Sequence, residues 1–210
     1  QQMARVFPDT QIMVGAYASY TMPPPDYQSI GGEPNMSVIL AHYHYDHARP
    51  ITDPASSENQ YFREIIEKWN VLVDGRIYFY EYYWKVNWFD LPWPIVHSIG
   101  ADLAWMKAQE FEGVHTQASP ETNGWLLGLN YYVTAKMLWD ADQDPAALVD
   151  EWLEGLFGPA AATMKDFYTV MEEAMAAQTN IGGYAQDNAQ KVFTPAVLET
   201  MRQAYEEAQT

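Results

Sequence analysis

Hydrophobic and polar positions along this chain follow two periods. Short apolar, aromatic runs bounded by turn residues occur at Gln11–Tyr20, Ser37–His42, Arg76–Trp84 and Glu112–Gln117. They are too short for typical helices and rich in β-branched and aromatic residues, so each reads as a strand. Between them the spacing changes. Phe62, Ile65, Ile66 and Trp69 fall at i, i+3, i+4 and i+7 behind a capping box of Ser57 and Gln60, which predicts an amphipathic helix. Pro94 stands at a first helical position ahead of the stripe Ile95, Ile99, Leu103 and Met106. Asn123 caps a third helix with Leu126, Leu129, Val133 and Met137 on its apolar side.

The order strand, strand, helix, strand, helix, strand, helix implies parallel βα units, and four such strands make half of an eight-fold barrel. From Asp144 onward the strands stop. Asp144 with Pro145, Pro159, and Thr194 with Pro195 mark helix starts. Residues 145–210 read as all-helical, interrupted near Gly182 and Gly183. The expected organisation is α/β: a half-barrel over residues 1–143, then a helical extension over 144–210.

Composition narrows the partners. Of 210 residues, 48% are hydrophobic, enough for a substantial core. Lys plus Arg number 11 against 28 Asp plus Glu, a net charge of −17. That sign argues against nucleic acid and against anionic membrane surfaces. No apolar run reaches the ~20 residues of a membrane span. Cysteine is absent, which excludes thiol redox chemistry and thiolate zinc sites. Tyrosine (15) and tryptophan (8) are abundant, and such rings suit apolar ligands and sugar faces as well as cores.

Three constellations carry candidate chemistry. His42-Tyr43-His44-Tyr45-Asp46-His47 follows a strand and fits His-x-His-x-Asp-His, a spelling that resembles the metal loop of metallo-β-lactamase-type hydrolases. The late ligands of that fold are missing, since no histidine follows His115, so the expectation is no bound metal and a polar loop at a barrel mouth, with His44 or Asp46 near substrate. The second is the aromatic run Arg76–Trp84, with Glu81 as the candidate catalytic carboxylate. Alternation puts Glu81 and Tyr83 on one side and Tyr82 and Trp84 on the other. With the first pair facing the mouth, Glu81 and Tyr83 would hold sugar hydroxyls or an acetamido group. Asp90 and Glu121 lie on loops at the same end. The third is Gln117, Glu121, Asn123 and Trp125 after the last strand, where barrel sites are built.

Tyr17-Ala18-Ser19-Tyr20, Pro23-Pro24-Pro25, the histidine-rich strand, Asp53-Pro54, Asn59, Phe62 and Trp69 recur in an order that resembles a known family. The match continues through Leu91-Pro92-Trp93-Pro94, Asp102-Leu103, Gly113-Val114, the run Leu129–Asp140, and Ala147–Tyr168 with Phe157-Gly158-Pro159. The chain resembles a domain of unknown function found in glycoside-hydrolase-like bacterial barrels, a group that includes endo-β-N-acetylglucosaminidases. The resemblance implies a (β/α)8 TIM barrel of which this chain supplies about strands 5–8. It also implies retaining, substrate-assisted hydrolysis, in which one carboxylate orients the substrate acetamido group and a neighbouring acid protonates the leaving oxygen. No adjacent acidic pair stands at a strand end here, so that pair is expected on the other half.

The resulting expectation is a glycoside-hydrolase-like protein that binds and hydrolyses N-acetylhexosamine-containing or other glycans. Its partners are the glycan and an N-terminal barrel half or another chain, and no cofactor is expected. Candidate substrate contacts are Tyr17, Tyr20, His44, Asp46, Glu81, Tyr83, Gln117 and Trp125. A secreted, periplasmic or cell-surface location suits glycan substrates. The alternatives are a metal-dependent hydrolase using the histidine loop and a non-catalytic carbohydrate-binding barrel.

Overall fold

The computed structural model describes residues 5–27, 34–89, 91–118 and 124–209, without the side chains of 124–127. Strands β1 (Ile12–Ala16), β2 (Met36–Ala41), β3 (Ile77–Glu81) and β4 (Gly113–Thr116) alternate with helices from β2 onward. These are α1 (Ser57–Val73), α2 (Val96–Ala108) and α3 (Gly124–Trp139). All four strands are parallel, and their spatial order equals their chain order. The protein is thus a mixed α/β fold built on a four-stranded parallel sheet. The strands come out shorter than the apolar runs that foretold them, because the ladder ends where the chain turns into the loops.

Local chemistry sets the element ends. Phe62, Ile65, Ile66 and Trp69 are all buried under α1, as the helical spacing required. The cap lies one residue earlier than expected: Ser56, not Ser57, accepts the backbone N–H of Asn59. The helix closes on Asp74 at φ 51°, followed by Gly75 at φ 82°, the left-handed pair that Asp-Gly turns favour. Pro94 precedes α2 by two residues rather than opening it, and the helix starts at Val96. Ile95, Ile99, Leu103 and Met106 are nevertheless all buried. The proposed Asn123 cap lies outside the described residues.

The second part of the chain is helical, as expected: α4 (Pro145–Phe157), α5 (Ala161–Ala176), α6 (Ala185–Val192) and α7 (Pro195–Glu207). Asp144 caps α4 through the N–H of Ala146, and Thr194 caps α7 through that of Val197. These helices join the core of the sheet region. Met164, Phe167, Tyr168 and Met171 belong to the same buried cluster as Phe79, Ile99 and Leu129.

The sheet has two unlike faces. Val38, Leu40, Ile77 and Phe79 point under the helices and are fully buried. Phe79 meets Phe62 of α1 and Trp105 of α2, so both helices lie on that side. Register places Gly15, Ile39, Tyr78 and Gly113 together on the opposite face, with Ala41, Tyr80 and His115 in the next layer. That face is open: Met13 is 51% exposed and His115 is exposed. Parallel sheets normally have both faces covered.

Candidate functional site: an aromatic cleft and the buried polar cluster beneath it

The open face carries a cleft of about 370 Å³ at the carboxyl ends of the strands. It is lined by Tyr17, Ala41, Tyr80, Tyr82 and Gln117, above Gly15 and Ile39. Alternation explains the set, since Tyr17, Tyr80, Tyr82 and Gln117 continue the outward positions of β1, β3 and β4. The rings form an unbroken chain. His115 touches Tyr80 at 4.9 Å between centroids, Tyr80 touches Tyr82 at 5.3 Å, Tyr82 touches Tyr43 at 4.9 Å, and Tyr43 touches Tyr17 at 5.5 Å. His44 extends it, 4.4 Å from Tyr43. The Gln117 Oε1 is buried and without a hydrogen-bond partner. No carboxylate lines this cleft among the described residues.

On the other face, under the same strand ends, lies a buried polar cluster. His42, at the end of β2, meets Glu81, at the end of β3, with Nδ1 3.1 Å from Oε2. Asn59 of α1 organises the loop around them. Its Nδ2 donates to the carbonyls of Asp46, Arg49 and Pro50, so its Oδ1 is an acceptor, and it receives the Asp46 N–H and the His42 Nε2. Burial opposes a charge on His42, but the adjacent Glu81 carboxylate outweighs it and the His42 pKa rises. The pKa of His47, whose ring lies tilted 4.6 Å from that of His42, is held well below its usual value by burial and then by Lys85 and His42.

Two further ionisable groups share this interior. Lys85 is buried, with Nζ 2.7 Å from the Tyr43 carbonyl and 5.3–5.8 Å from the centres of the Tyr43, Trp93 and Tyr82 rings. Burial lowers its pKa to about 7, against the pull of Glu81, Glu58 and Asp46. Asp102 of α2 accepts the Ile51 N–H at 2.7 Å, and burial, then the Glu81 charge, raise its pKa to about 8.

The residues singled out from the sequence divide between these places. Tyr17 and Gln117 line the cleft, and His44 stands exposed beside Tyr43. Tyr20, 62% exposed on the 3-10 turn after β1, is not part of the lining. The expectation that Glu81 and Tyr83 face the mouth is corrected. Glu81 shares its face with Ile77 and Phe79, and both Glu81 and Tyr83 are buried away from the cleft. The apolar side of β3 had to go under the helices and took Glu81 with it. Asp46 is also corrected: it is fully buried, and its Oδ1 accepts the N–H groups of Ala48 and Ile181. Through Oδ1 it ties the histidine loop to the segment before α6, while its Oδ2 is buried without a hydrogen-bond partner. Gly182 completes that junction, since a Cβ there would overlap the carbonyl oxygens of His44 and Tyr45. Asp90, Glu121 and the Trp125 side chain lie outside the described residues.

The candidate substrate contacts drawn from the sequence omit Tyr43, Tyr80, Tyr82 and His115 on the open face and Lys85 beneath it, and His47 enters only within the His-x-His-x-Asp-His run. A signal for the first set was present. Ile77 and Phe79 are the more apolar alternate set of β3, which assigns Tyr78, Tyr80 and Tyr82 to the other face. His42, His47 and Glu81 are the described residues whose donor atoms lie close enough together to share a metal ion. No helix among the described residues is long and apolar enough to cross a membrane.

No curated protein and no solved structure matches the chain. A family model does match, over residues 1–169, which span all four strands, α1 to α4 and the first half of α5. The chain therefore belongs to the family described as Domain of unknown function (DUF4838).

Proposed function

We propose that this chain forms the wall and aromatic platform of a glycan-binding cleft in a glycoside-hydrolase-like (β/α)8 barrel. In this reading its four strands are about the fifth to eighth of the barrel, with the helices α4 to α7 as an extension. The supporting observation is the continuous ring surface His115–Tyr80–Tyr82–Tyr43–Tyr17 at the carboxyl ends of parallel strands. Barrel sites are built at that end. Sequential strand order and two helices on one shared face are what a barrel wall requires. Tyrosine rings offer flat apolar faces for pyranose C–H groups and hydroxyls for their oxygens. The amide of Gln117, with an unpartnered oxygen, is a donor and acceptor for a hydroxyl or an acetamido group.

Hydrolysis, in this reading, uses an acid pair from strands outside this chain, because the cleft's described lining holds no carboxylate. Glycoside hydrolysis needs two carboxyl groups, or one beside a substrate acetamido group. The test is binding of N-acetylhexosamine-containing oligosaccharides by calorimetry, with Tyr17→Ala and Tyr80→Ala as probes. Each lost platform should weaken binding by about tenfold, roughly 1.4 kcal/mol, with little change in melting temperature. Unchanged affinity in both variants, or no binding of any glycan by the complete protein, would remove this reading.

A further inference from the structure

We propose that His42, His47 and Glu81 form a binding site for one divalent transition metal of the zinc class, set in the core beneath the cleft. One donor atom from each lies within 4.8 Å of the others, and all three side chains are buried. Two metal bonds of ~2.1 Å at a tetrahedral angle put their donors ~3.4 Å apart. The His42 Nδ1 and Glu81 Oε2, at 3.1 Å, already match that separation.

The hydrogen bonds around the ligands leave the required lone pairs free. Asn59 Oδ1 takes the proton on His42 Nε2, because the Asn59 amide nitrogen is occupied by three carbonyls. That directs the remaining nitrogen of His42, Nδ1, at Glu81. His47 Nε2 is buried with no hydrogen-bond partner, so it is free to ligate. Glu81 Oε1 is likewise buried and unpartnered. Fixing the second nitrogen of a ligating imidazole through an amide or carbonyl oxygen is how proteins orient metal-bound histidine. Buried polar atoms without partners are rare; an ion there accounts for His47 Nε2, and for Glu81 Oε1 as well where the carboxylate binds through both oxygens.

The three ligands come from the end of β2, the following loop and the end of β3. An ion there would clamp the histidine loop to the sheet from the side opposite the cleft, a structural role that sets the position of Tyr43 and His44 above it. Two imidazoles and a carboxylate are a donor set suited to Zn(II) and neighbouring first-row ions. The set is not the His-x-His-x-Asp-His pattern of the sequence: His44 is exposed, and Asp46, whose Oδ1 takes two backbone N–H groups, is not among the converging donors. It also departs from the expectation of no metal drawn from the chain alone. The neighbouring cation, Lys85, is engaged by the Tyr43 carbonyl and ring faces and makes no ion pair with Glu81 among the described residues.

The test is metal analysis of the full chain purified without chelator and equilibrated with zinc, followed by cobalt substitution and visible absorption. About one ion per chain is expected, with a melting temperature that falls on chelation and recovers with zinc. Cobalt should give bands of a nitrogen- and oxygen-ligated centre. His47→Ala and Glu81→Gln should lower zinc affinity at least tenfold, while His44→Ala retains it. Should the ligand variants fail to fold, the cobalt spectrum and chelator response of the native protein decide alone. Less than about a tenth of an ion per chain, with melting indifferent to zinc and chelator, would leave the triad a proton-bridged ion pair and overturn the proposal. Loss of metal in His44→Ala but not in His47→Ala would overturn it equally. None of these readouts involves a glycan, so the result stands apart from the fate of the cleft reading.

Discussion

The two faces of one sheet share the same strands and the same alternation, yet they have opposite fates. Under the helices, Val38, Leu40, Ile77 and Phe79 are wholly buried, and polar groups are admitted only at the carboxyl end, with Asn59, Ser56 and backbone groups serving many of them. On the other face, Met13, Tyr17 and His115 remain open, and tyrosines replace aliphatic residues in every layer of β3. Aliphatic burial gains most where water is fully excluded, so it was placed against helices. Tyrosine tolerates partial exposure because its hydroxyl stays solvated while its ring packs. The difference shows that the covered face holds the fold together, while the open face contributes less burial.

The largest effect that would sharpen this contrast is Phe79→Ala. Removing a core ring wedged between Phe62, Trp105 and Phe111 should lower unfolding free energy by about 3–5 kcal/mol in urea titration. Tyr80→Ala, one residue away on the open face, should cost less than about 1 kcal/mol. Equal losses would break the comparison and make the open face a second core. Next comes Asn59→Ala. It strands the Asp46 N–H and the buried carbonyls of Asp46, Arg49 and Pro50 without partners. Each such group costs about 1–3 kcal/mol, partly recovered by relaxation, so a net loss of about 2–3 kcal/mol is expected by the same titration.

A pH-dependent effect follows from Asp102. Its carboxyl titrates at about 8 when folded, against a reference value of 3.8. Between these values the folded protein binds more protons than the unfolded chain, so this group makes stability fall as pH rises through that window. Asp102→Asn keeps an acceptor for Ile51 N–H and removes the proton. The melting temperature of the variant relative to the parent should therefore increase steadily from pH 5 to pH 8. A constant difference would mean that Asp102 is ionised throughout. The smallest effect belongs to Tyr20→Ala. It removes a ring that is mostly exposed and absent from the cleft lining, so stability should stay within about 0.5 kcal/mol and glycan affinity should not change.

How much of this was legible differs by scale. The i, i+3, i+4, i+7 set on α1 and the Asp144 and Thr194 caps were readable because helix periodicity and capping are local. Ser56 displaced Ser57 as cap because the choice between adjacent serines depends on how the chain leaves the Asp53–Pro54 turn. The site was harder. Tyr17 and Gln117 lie in the lining of the cleft, whereas Glu81, Tyr83 and Asp46, expected at the mouth, are buried away from it. A one-residue choice of face inverts every side chain on a strand; the more apolar set Ile77 and Phe79 favours one choice, and the packing of Phe79 against two helices fixes it.

The sequence by itself determined the elements, their parallel βα order and the aromatic supply at the strand ends, because hydrophobic period, turn residues and caps act over a few neighbouring positions. The tertiary structure fixed the alternate set of β3 under the helices, which alternation favours but does not by itself enforce. It alone brought His42, His47 and Glu81 together from separate segments, and pinned the loop before α6 to the histidine loop through Asp46 and Gly182. Those arrangements join residues up to 135 positions apart. Their free energy comes from excluding water around groups that meet only after the chain has folded, and no local pattern encodes which distant group will arrive.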